Sequence, residues 1–155
     1  MSLVRGEQRV AGKRIEYTTA FRFLVEIKGL YVAGFTEVSG LQSEVELEEY
    51  REGGNNGYAH RFPKAIRYSP IVLKRGMTTS SDLWDWYESV RAGKVTRKDG
   101  SIIMQNGQGK EVCRWNFFES YPSKWSGPDL SSMSSAVAIE SIEIVHNGLK
   151  TVFKK

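Results

Sequence analysis

Residues 21–28 read Phe21-Arg22-Phe23-Leu24-Val25-Glu26-Ile27-Lys28. Apolar side chains occupy every second position from Phe21 onward, and charged side chains take most of the positions between them. A period of two places these two sets on opposite faces of an extended chain. The stretch therefore predicts a half-buried β-strand, and the rest of the fold is predicted outward from it.

Further strands are predicted between turns that are marked by glycine and asparagine. They cover residues 30–38, 41–50, 66–75, 101–105, 111–119 and 136–145, with a short tail strand over 149–155. Pro70 indicates an edge or a bulge, and the last long strand shifts phase at Glu140-Ser141, as a bulge would make it. Residues 121–135 contain two prolines and many serines. They are predicted to form a loop.

One helix is predicted near the middle of the chain. Its apolar side chains recur at i, i+3, i+4 and i+7, and they are Leu83, Trp86, Tyr87 and Val90. Hydroxyl side chains over residues 78–81 precede it as N-cap candidates, and Gly93 follows it as a left-handed cap. Closely spaced strands with a single helix predict an α+β domain, mainly antiparallel β. We expect a small β-barrel or sandwich with one flanking α-helix and a long extended loop or hairpin.

The strand over residues 41–50 has one acidic face. Its outward side chains include Glu44, Glu46 and Glu48, whereas Val45 and Leu47 lie on the opposite face. Because apolar faces of strands usually meet a core, we expect Val45 and Leu47 to point inward. The acidic row then faces whatever lies outside the domain.

Residues 51–64 form a long connection with a Gly/Asn centre. Connections of this length are uncommon in compact domains and are usually functional or mobile. Tyr58, His60 and Phe62 alternate with Ala59 and Arg61. The segment can therefore also form an extended hairpin that reaches beyond the domain.

The composition is that of one globular domain: 155 residues, 40% hydrophobic and 26% charged. We expect an N-terminal arm over residues 1–20 and a single domain over residues 21–155. The single Cys113 cannot supply a disulfide framework. No stretch approaches the roughly 18 apolar residues that cross a bilayer, and the first residues lack the apolar core of a secretory signal. We expect synthesis in the cytoplasm without a signal peptide, and no stable membrane anchor.

The net charge of +4 is the remainder of two segregated sets, 22 Lys and Arg against 18 Asp and Glu. A basic cluster of Arg91, Lys94, Arg97 and Lys98 follows the predicted helix, far in sequence from the acidic strand. Such charges are usually a solvated surface. They also suit opposite faces that meet on neighbouring copies of one protein.

Residues for catalysis or metal binding are scarce. His60 and His146 are the only histidines, Cys113 is the only thiol, and none has the spacing of a zinc site. The glycine-rich segment lacks the lysine of a P-loop, and no nucleophile elbow is present. We expect no enzyme activity, no catalytic residue, no metal and no cofactor. A single-stranded nucleic-acid-binding β-barrel module stays open as an alternative, because the basic cluster lies close in sequence to Trp84 and Tyr87.

An ordered series of segments is similar to a known family. The segments are Phe21 to Ile27, Gly34 to Leu41, Glu49 to Gly54, Leu73 to Gly76, Leu83 to Trp86, Trp115 to Pro122, Lys124 to Pro128 and Ala138 to Ile144. Over about residues 20–150 they resemble, in the same order, the tail-tube (inner tube) proteins of contractile phage tails and bacterial contractile injection systems.

The resemblance implies a structural protein. Members of that family form homo-hexameric rings that stack into a hollow tube inside a contractile sheath, and contraction drives the tube through a target envelope to deliver cargo. The implied partners are adjacent tube rings or paralogous tube proteins, sheath subunits, spike and baseplate proteins, and cargo in the lumen. The implied location is a phage tail or a phage-tail-like particle, which can be released extracellularly.

The resemblance also implies that the acidic strand and the connection after it form an extended hairpin that reaches the adjacent ring. The residues expected at inter-subunit contacts are Glu44, Glu46, Glu48, Arg51, Glu52, Gly53, Gly54, Tyr58, Arg61 and Phe62. Among them, Arg51, Glu52 and Arg61 are expected to form ion pairs between subunits.

Two segments, Val10 to Arg14 and Val145 to Leu149, resemble paralogues that form a specialised first ring between the tube and the baseplate. The basic arm over residues 1–20 is also longer than a minimal tube subunit needs. These features favour a tube initiator over a bulk tube subunit.

Overall fold

The computed structural model describes residues 22–30, 34–50 and 60–154. Within them lie one helix and nine strands. The elements are β1 (Arg22–Ile27), β2 (Phe35–Ser39), β3 (Ser43–Tyr50), β4 (His60–Tyr68), β5 (Ile71–Gly76), α1 (Asp82–Arg91), β6 (Lys98–Gln105), β7 (Glu111–Ser126), β8 (Ile139–Val145) and β9 (Gly148–Phe153). All strand pairs between these elements are antiparallel.

Seven strands form the main sheet. Six of them follow one another as hydrogen-bonded neighbours in the order β1-β6-β7-β8-β5-β2, and the seventh, β9, pairs with β7. Its two ends, β1 and β2, are not paired with each other in the described part of the chain. The sheet is therefore folded over like a sandwich and does not close into a barrel. The predicted α+β class with mainly antiparallel strands is confirmed. Of the two predicted architectures, barrel and sandwich, the structure has the sandwich.

The 16-residue strand β7 connects the two layers. Its first half pairs with β6 on one side and β9 on the other, and its second half pairs with β8. The change occurs at Glu119, whose φ of 52° is the one positive value for a non-glycine residue in the described ranges. Strands that switch sheets usually do so at such a bend. The same strand thus belongs to both layers.

The core lies between the two layers and under the helix. It consists of Val25, Ile27, Ile71, Leu73, Leu83, Trp86, Ile102, Phe117, Ile142 and Ile144. Trp86 inserts its ring from α1 and donates a hydrogen bond from Nε1 to the carbonyl of Thr96 at 3.1 Å. That bond satisfies the one polar atom of the ring, as buried tryptophans require. Cys113 is buried, as expected of a small apolar filler.

A buried ion pair joins β5 to β8. Arg75 and Glu140 lie directly opposite each other, and Nε of Arg75 donates to Oε1 of Glu140 at 2.5 Å. Trp125 donates to the other carboxylate oxygen at 3.2 Å. The bulge predicted at Glu140-Ser141 is wrong, because the register between β5 and β8 is regular. The phase shift in the sequence arises because Glu140 is a charged residue at an inward position.

The predicted helix is confirmed as α1. Ser81 occupies the N-cap position, but its hydroxyl bonds the carboxylate of Asp85 at 2.8 Å and caps no backbone N–H. At the other end, Gly93 adopts φ of +88°, as a left-handed cap requires.

Several strand boundaries differ from the prediction. The loop predicted from residue 121 begins only after Ser126, because β7 continues through Pro122. This proline lies beside a register shift in the ladder with β8, which is where a sheet tolerates the missing N–H. The single strand predicted over residues 66–75 is two strands, β4 and β5, separated at Ser69 and Pro70.

Candidate functional site

The described surface has no site built for chemistry. One open depression of about 300 Å³ is lined by residues such as Glu26, Asp99 and Asn116. It contains neither histidine nor cysteine. In the described ranges, no group of three or more His, Cys, Asp or Glu side chains is placed to hold a metal ion. Burial raises the pKa of the Cys113 thiol, which disfavours its reactive thiolate.

The most distinctive feature is a hairpin that stands apart from the sandwich. We call β3 and β4 together the hairpin arm; they pair with each other and form a separate two-stranded sheet. Almost all of their side chains are exposed. Because an isolated two-stranded hairpin is marginally stable in water, this exposure leaves the hairpin arm with little support from the rest of the described chain.

The hairpin arm leaves the body at a sharp junction. β2 and β5 pair in the main sheet, and the same two chain segments continue as β3 and β4 beyond Gly40 and Pro70. Gly40 has φ of +87°, and a Cβ atom there would collide with the carbonyl oxygen of Pro70. Glycine is the one residue without that atom. The direction of the hairpin arm therefore depends on Gly40.

One face of the hairpin arm is apolar. Val45 lies opposite Ile66, and Leu47 lies opposite Pro63. The side chains of Val45, Leu47 and Ile66 are 49, 53 and 55% exposed. The prediction that Val45 and Leu47 point into the core is wrong: the alternation is correct, but no core within the described residues covers this face.

The other face of the hairpin arm carries the acidic row. Glu44, Glu46 and Glu48 all lie on β3, and Glu44 and Glu48 are exposed. Arg67 lies opposite Glu44 and forms an ion pair with Glu46 at 3.0 Å. Of the three carboxylates on this face, Glu46 is the one that this ion pair neutralises.

Arg61 and Phe62 lie on β4 and are exposed. Nε of Arg61 is 3.3 Å from a carboxylate oxygen of Glu49 on the opposite strand. Arg61 thus has an ion-pair partner within its own chain. Arg51, Glu52, Gly53, Gly54 and Tyr58, also expected at inter-subunit contacts, lie outside the described residues.

A second exposed apolar surface was missed by the sequence prediction. Residues 127–138, here called the distal loop, connect β7 to β8. Leu130, Met133 and Val137 in this loop are 84, 95 and 74% exposed. The signal was present in the sequence, because three large apolar side chains stand in a segment otherwise made mostly of small and polar residues.

The aromatic residues near the basic cluster are engaged inside the fold. Trp84 packs edge-on against Trp125 with ring centroids 4.8 Å apart, and it also contacts Tyr87 at 5.8 Å. Arg97 lies over the ring of Tyr121, 5.0 Å from its centroid. Stacking of nucleic-acid bases needs free aromatic faces. The single-strand-binding alternative therefore gains no support from this region.

Comparison with known proteins identifies the family. The sequence model of the T4-like virus tail tube protein gp19 family matches residues 19–150. The chain belongs to this family. The predicted resemblance to tail-tube proteins is thereby confirmed, and membership in a family of structural tube proteins favours the prediction that the chain is not an enzyme. No curated protein sequence matches the chain.

Solved structures with the same fold include chains of the anti-feeding prophage and of an extracellular contractile injection system. A chain of the anti-feeding prophage tube-terminating cap has a TM-score of 0.83 and 22% identity, covering 96% of this chain and 100% of that one. A chain of the anti-feeding prophage baseplate gives 0.80 and 23%, covering 90% and 98%. A chain of the sheath/tube terminator of an extracellular contractile injection system, PVC, gives 0.80 and 26%, covering 90% and 99%. These similarities show that the chain has the same fold.

Among the described residues of this tail-tube family member, no helix has the length and apolar character to span a lipid bilayer.

Proposed function

We propose that this tail-tube family member is a structural subunit of the inner tube of a contractile injection system or phage tail. It forms hexameric rings that stack into a hollow tube, and sheath contraction drives this tube through a target envelope to deliver cargo. The observation that carries the proposal is the hairpin arm, which exposes an apolar face in a chain of a tube-protein family. An exposed apolar face on a marginally stable hairpin is typical of a contact site, and a second copy of the chain is the cover that we propose.

Unpaired strand edges support assembly into rings. β1 and β2 end the main sheet, so each presents one edge without a strand neighbour in the described part of the chain. Open edges otherwise template aggregation. When identical subunits join head to tail and the rotation closes, every such contact is satisfied within a ring.

Within the particle we favour a position in the first ring, between the tube and the spike or baseplate. The segment Val145 to Leu149, which resembles first-ring paralogues, forms the corner between β8 and β9. The other segment that resembles first-ring paralogues, Val10 to Arg14, lies outside the described residues. The sheath, the baseplate, paralogous tube proteins and cargo are the proposed partners. Synthesis in the cytoplasm precedes assembly, and the finished particle is released from the cell or stays within it.

Assembly is tested by light scattering after gel filtration, together with negative-stain electron microscopy of the purified chain. Rings of six copies are the expected result. Leu47→Asp, on the apolar face of the hairpin arm, is expected to reduce higher-order assembly. Val95→Asp adds the same charge at a body position of similar exposure, 48% against 53%, and serves as the control. A chain that stays monomeric at all concentrations contradicts the proposal.

The position in the particle is tested separately by labelling. An antibody or gold label on this subunit in intact particles marks one end if the subunit forms the first ring. A label distributed along the whole tube contradicts the first-ring position and leaves the bulk tube role in place.

A further inference from the structure

His146 is a buried histidine at the base of the hairpin arm. It follows β8, in the corner before β9, and is 8% exposed. The register of β5 with β8 places Ile71 opposite Ile144, and two residues further along it brings Ser69 opposite His146. The ring of Tyr68, the last residue of β4, lies 5.2 Å from the imidazole ring. His146 therefore packs against the two residues at which the hairpin arm joins the body.

One ring nitrogen of His146 is hydrogen-bonded and the other is not. Nδ1 lies 2.9 Å from the carbonyl oxygen of Gly148. Because a carbonyl oxygen can only accept, Nδ1 carries the hydrogen and donates it. In the neutral ring Nε2 is then an acceptor, and it is buried without a hydrogen-bond partner among the described residues. A proton that binds at Nε2 therefore places a charge where water does not reach.

The groups that face this ring among the described residues offer it no opposite charge. On β4 the titratable group is the phenol of Tyr68, and on β7 the facing ring is the uncharged Phe117, with centroids 6.4 Å apart. Glu119 on β7 is charged, but its carboxylate accepts an exposed hydrogen bond from the side chain of Asn147. A protonated ring in this position thus has no ion-pair partner.

The packed position therefore disfavours the protonated ring. Burial lowers the pKa of His146, and this effect exceeds the opposite effect of the backbone groups of Gly148 and Ser69. A state in which the ring meets water has the ordinary pKa of histidine, about 6.5. That state binds the proton more readily, so its share rises as the pH falls below about 6.5. The rise ends once the pH is below the pKa of the buried ring.

The hairpin arm is the side of the ring that can open. On the corner side, the N–H of Asn147 donates to the carbonyl of Phe118 at 3.0 Å, and β8 and β9 are both paired with β7. On the other side, β4 pairs with β3 alone among the described strands. The hydroxyl of Ser69 donates to the side-chain oxygen of Gln42, which lies at the base of the same arm. Movement of the hairpin arm therefore breaks fewer hydrogen bonds to the body than movement of the corner.

We propose that His146 is a pH-sensitive latch for the hairpin arm. With a neutral ring it holds the base of the hairpin arm against the sandwich, and with a protonated ring it lets that base move away so that the ring reaches water. The latch lies within a single chain, so it does not depend on the proposed ring or tube. It adds that the direction of the hairpin arm is fixed near neutral pH and loosened in acid.

Two spin labels measure the position of the hairpin arm. In the variant Cys113→Ala, which removes the native thiol, they are attached at Leu47→Cys on the hairpin arm and Val95→Cys on the body, both about half exposed. Dilution with unlabelled chain makes pulsed electron paramagnetic resonance report distances within one chain, whether or not copies assemble. From about pH 8 to about pH 5, where histidine changes its charge, the distance distribution is expected to broaden, with a midpoint below about 6.5. An unchanged distribution overturns the inference.

A second label pair separates release of the hairpin arm from unfolding of the chain. Met77→Cys and Val95→Cys are both on the body and are similarly exposed, 46 and 48%. Their distance distribution is expected to stay the same over this pH range. A distribution that broadens together with that of the first pair would show that acid unfolds the whole chain, and it contradicts the latch.

The two histidines of the chain provide matched variants. His146→Gln removes the titrating ring and is expected to abolish the broadening. His60→Gln, at the first residue of β4 on the hairpin arm itself, is expected to leave the broadening intact. Tyr68→Phe keeps the neighbouring ring, removes its phenol and is also expected to leave it intact. Broadening that survives His146→Gln, or that disappears in His60→Gln, overturns the inference.

A nuclear magnetic resonance titration tests the latch with both histidines in place. The ring carbon between the two nitrogens reports the protonation of His146, and its midpoint is expected to coincide with that of the broadening. A ring that titrates at a different pH from the movement of the hairpin arm contradicts the latch. This measurement decides the question also if the variant His146→Gln does not fold.

Discussion

Strands of the sandwich body have a buried apolar face, whereas strands of the hairpin arm have an exposed one. In the body, Leu73 on β5 and Ile142 on β8 lie opposite each other and are fully buried. In the hairpin arm, Val45 and Ile66 are also opposite each other, yet each is about half exposed. Alternation in sequence defines two faces of a strand, whereas cover for the apolar face comes from other parts of the chain or from a second molecule. Two regions with the same alternating sequence pattern can therefore serve folding in one case and assembly in the other.

The largest expected effect is the difference in unfolding free energy between two truncations of apolar side chains. Phe117 is 0% exposed in the body, so Phe117→Ala should cost about 3–5 kcal/mol of unfolding free energy through the cavity it leaves. Leu47→Ala in the hairpin arm should change it by less than about 0.5 kcal/mol. Urea unfolding of the monomeric chain measures both. Similar losses would mean that the chain itself covers the hairpin arm.

The buried ion pair tests the body alone. Arg75→Met leaves Glu140 as an uncompensated buried charge and should cost about 3 kcal/mol or more. The double variant Arg75→Met/Glu140→Leu removes both charges and should recover most of that loss. Thermal unfolding of the two variants against the unsubstituted chain measures the difference. A double variant as unstable as the single one would show that the pair is needed for more than charge balance.

The junction between the two regions is tested by matched glycine variants. Gly34 and Gly40 both adopt positive φ, 78° and 87°, so an alanine at either position carries a similar strain of about 1–2 kcal/mol. At Gly34 a Cβ atom meets nothing within 4 Å, whereas at Gly40 it collides with Pro70. Gly40→Ala is expected to lose more stability than Gly34→Ala and to reduce ring assembly, because the hairpin arm must turn. Calorimetry and negative-stain images check the two outcomes, and equal behaviour of the variants would contradict them.

The smallest expected effect is a pH dependence. His146 lies in the corner between β8 and β9, 5.2 Å from the ring of Tyr68 at the base of the hairpin arm, and burial lowers its pKa below 6.5. The unfolded chain then binds the proton more readily than the folded one. Stability should therefore fall as the pH drops below about 6.5, and the loss should level off below the folded-state pKa. The variant His146→Gln should show a smaller decrease in melting temperature over this pH range. An unchanged decrease would indicate that carboxylates cause it.

Much of the body could be predicted from sequence, because local rules and tertiary packing agree there. The alternation over residues 21–28 and the helical spacing from Leu83 to Val90 both correspond to observed elements. Glu140 misled the prediction because its inward position depends on Arg75, 65 residues away in the chain. Pro122 did so because proline usually ends a strand, whereas a register shift accommodates it here.

The candidate surface was less predictable for a physical reason. The alternation in β3 is correct for its faces, but exposure depends on what the rest of the chain leaves uncovered. Leu130 and Met133 follow no period, so the sequence predicts a loop there and no function for it. Glu44, Glu46, Glu48, Arg61 and Phe62 lie on the hairpin arm as expected, and their contact with another subunit stays a prediction.

The continuous strand β7 gives the subunit a direction of mechanical strength. Its 16 residues are held by three partner strands, β6, β8 and β9, so a force along its axis loads many hydrogen bonds in parallel and in shear. The hairpin arm has a single ladder of hydrogen bonds between β3 and β4. A force that separates the two strands at the end next to Gly40 and Pro70 breaks these bonds one after another. Under load the subunit would therefore yield first where β3 and β4 are peeled apart, before β7 is pulled from its three partner strands.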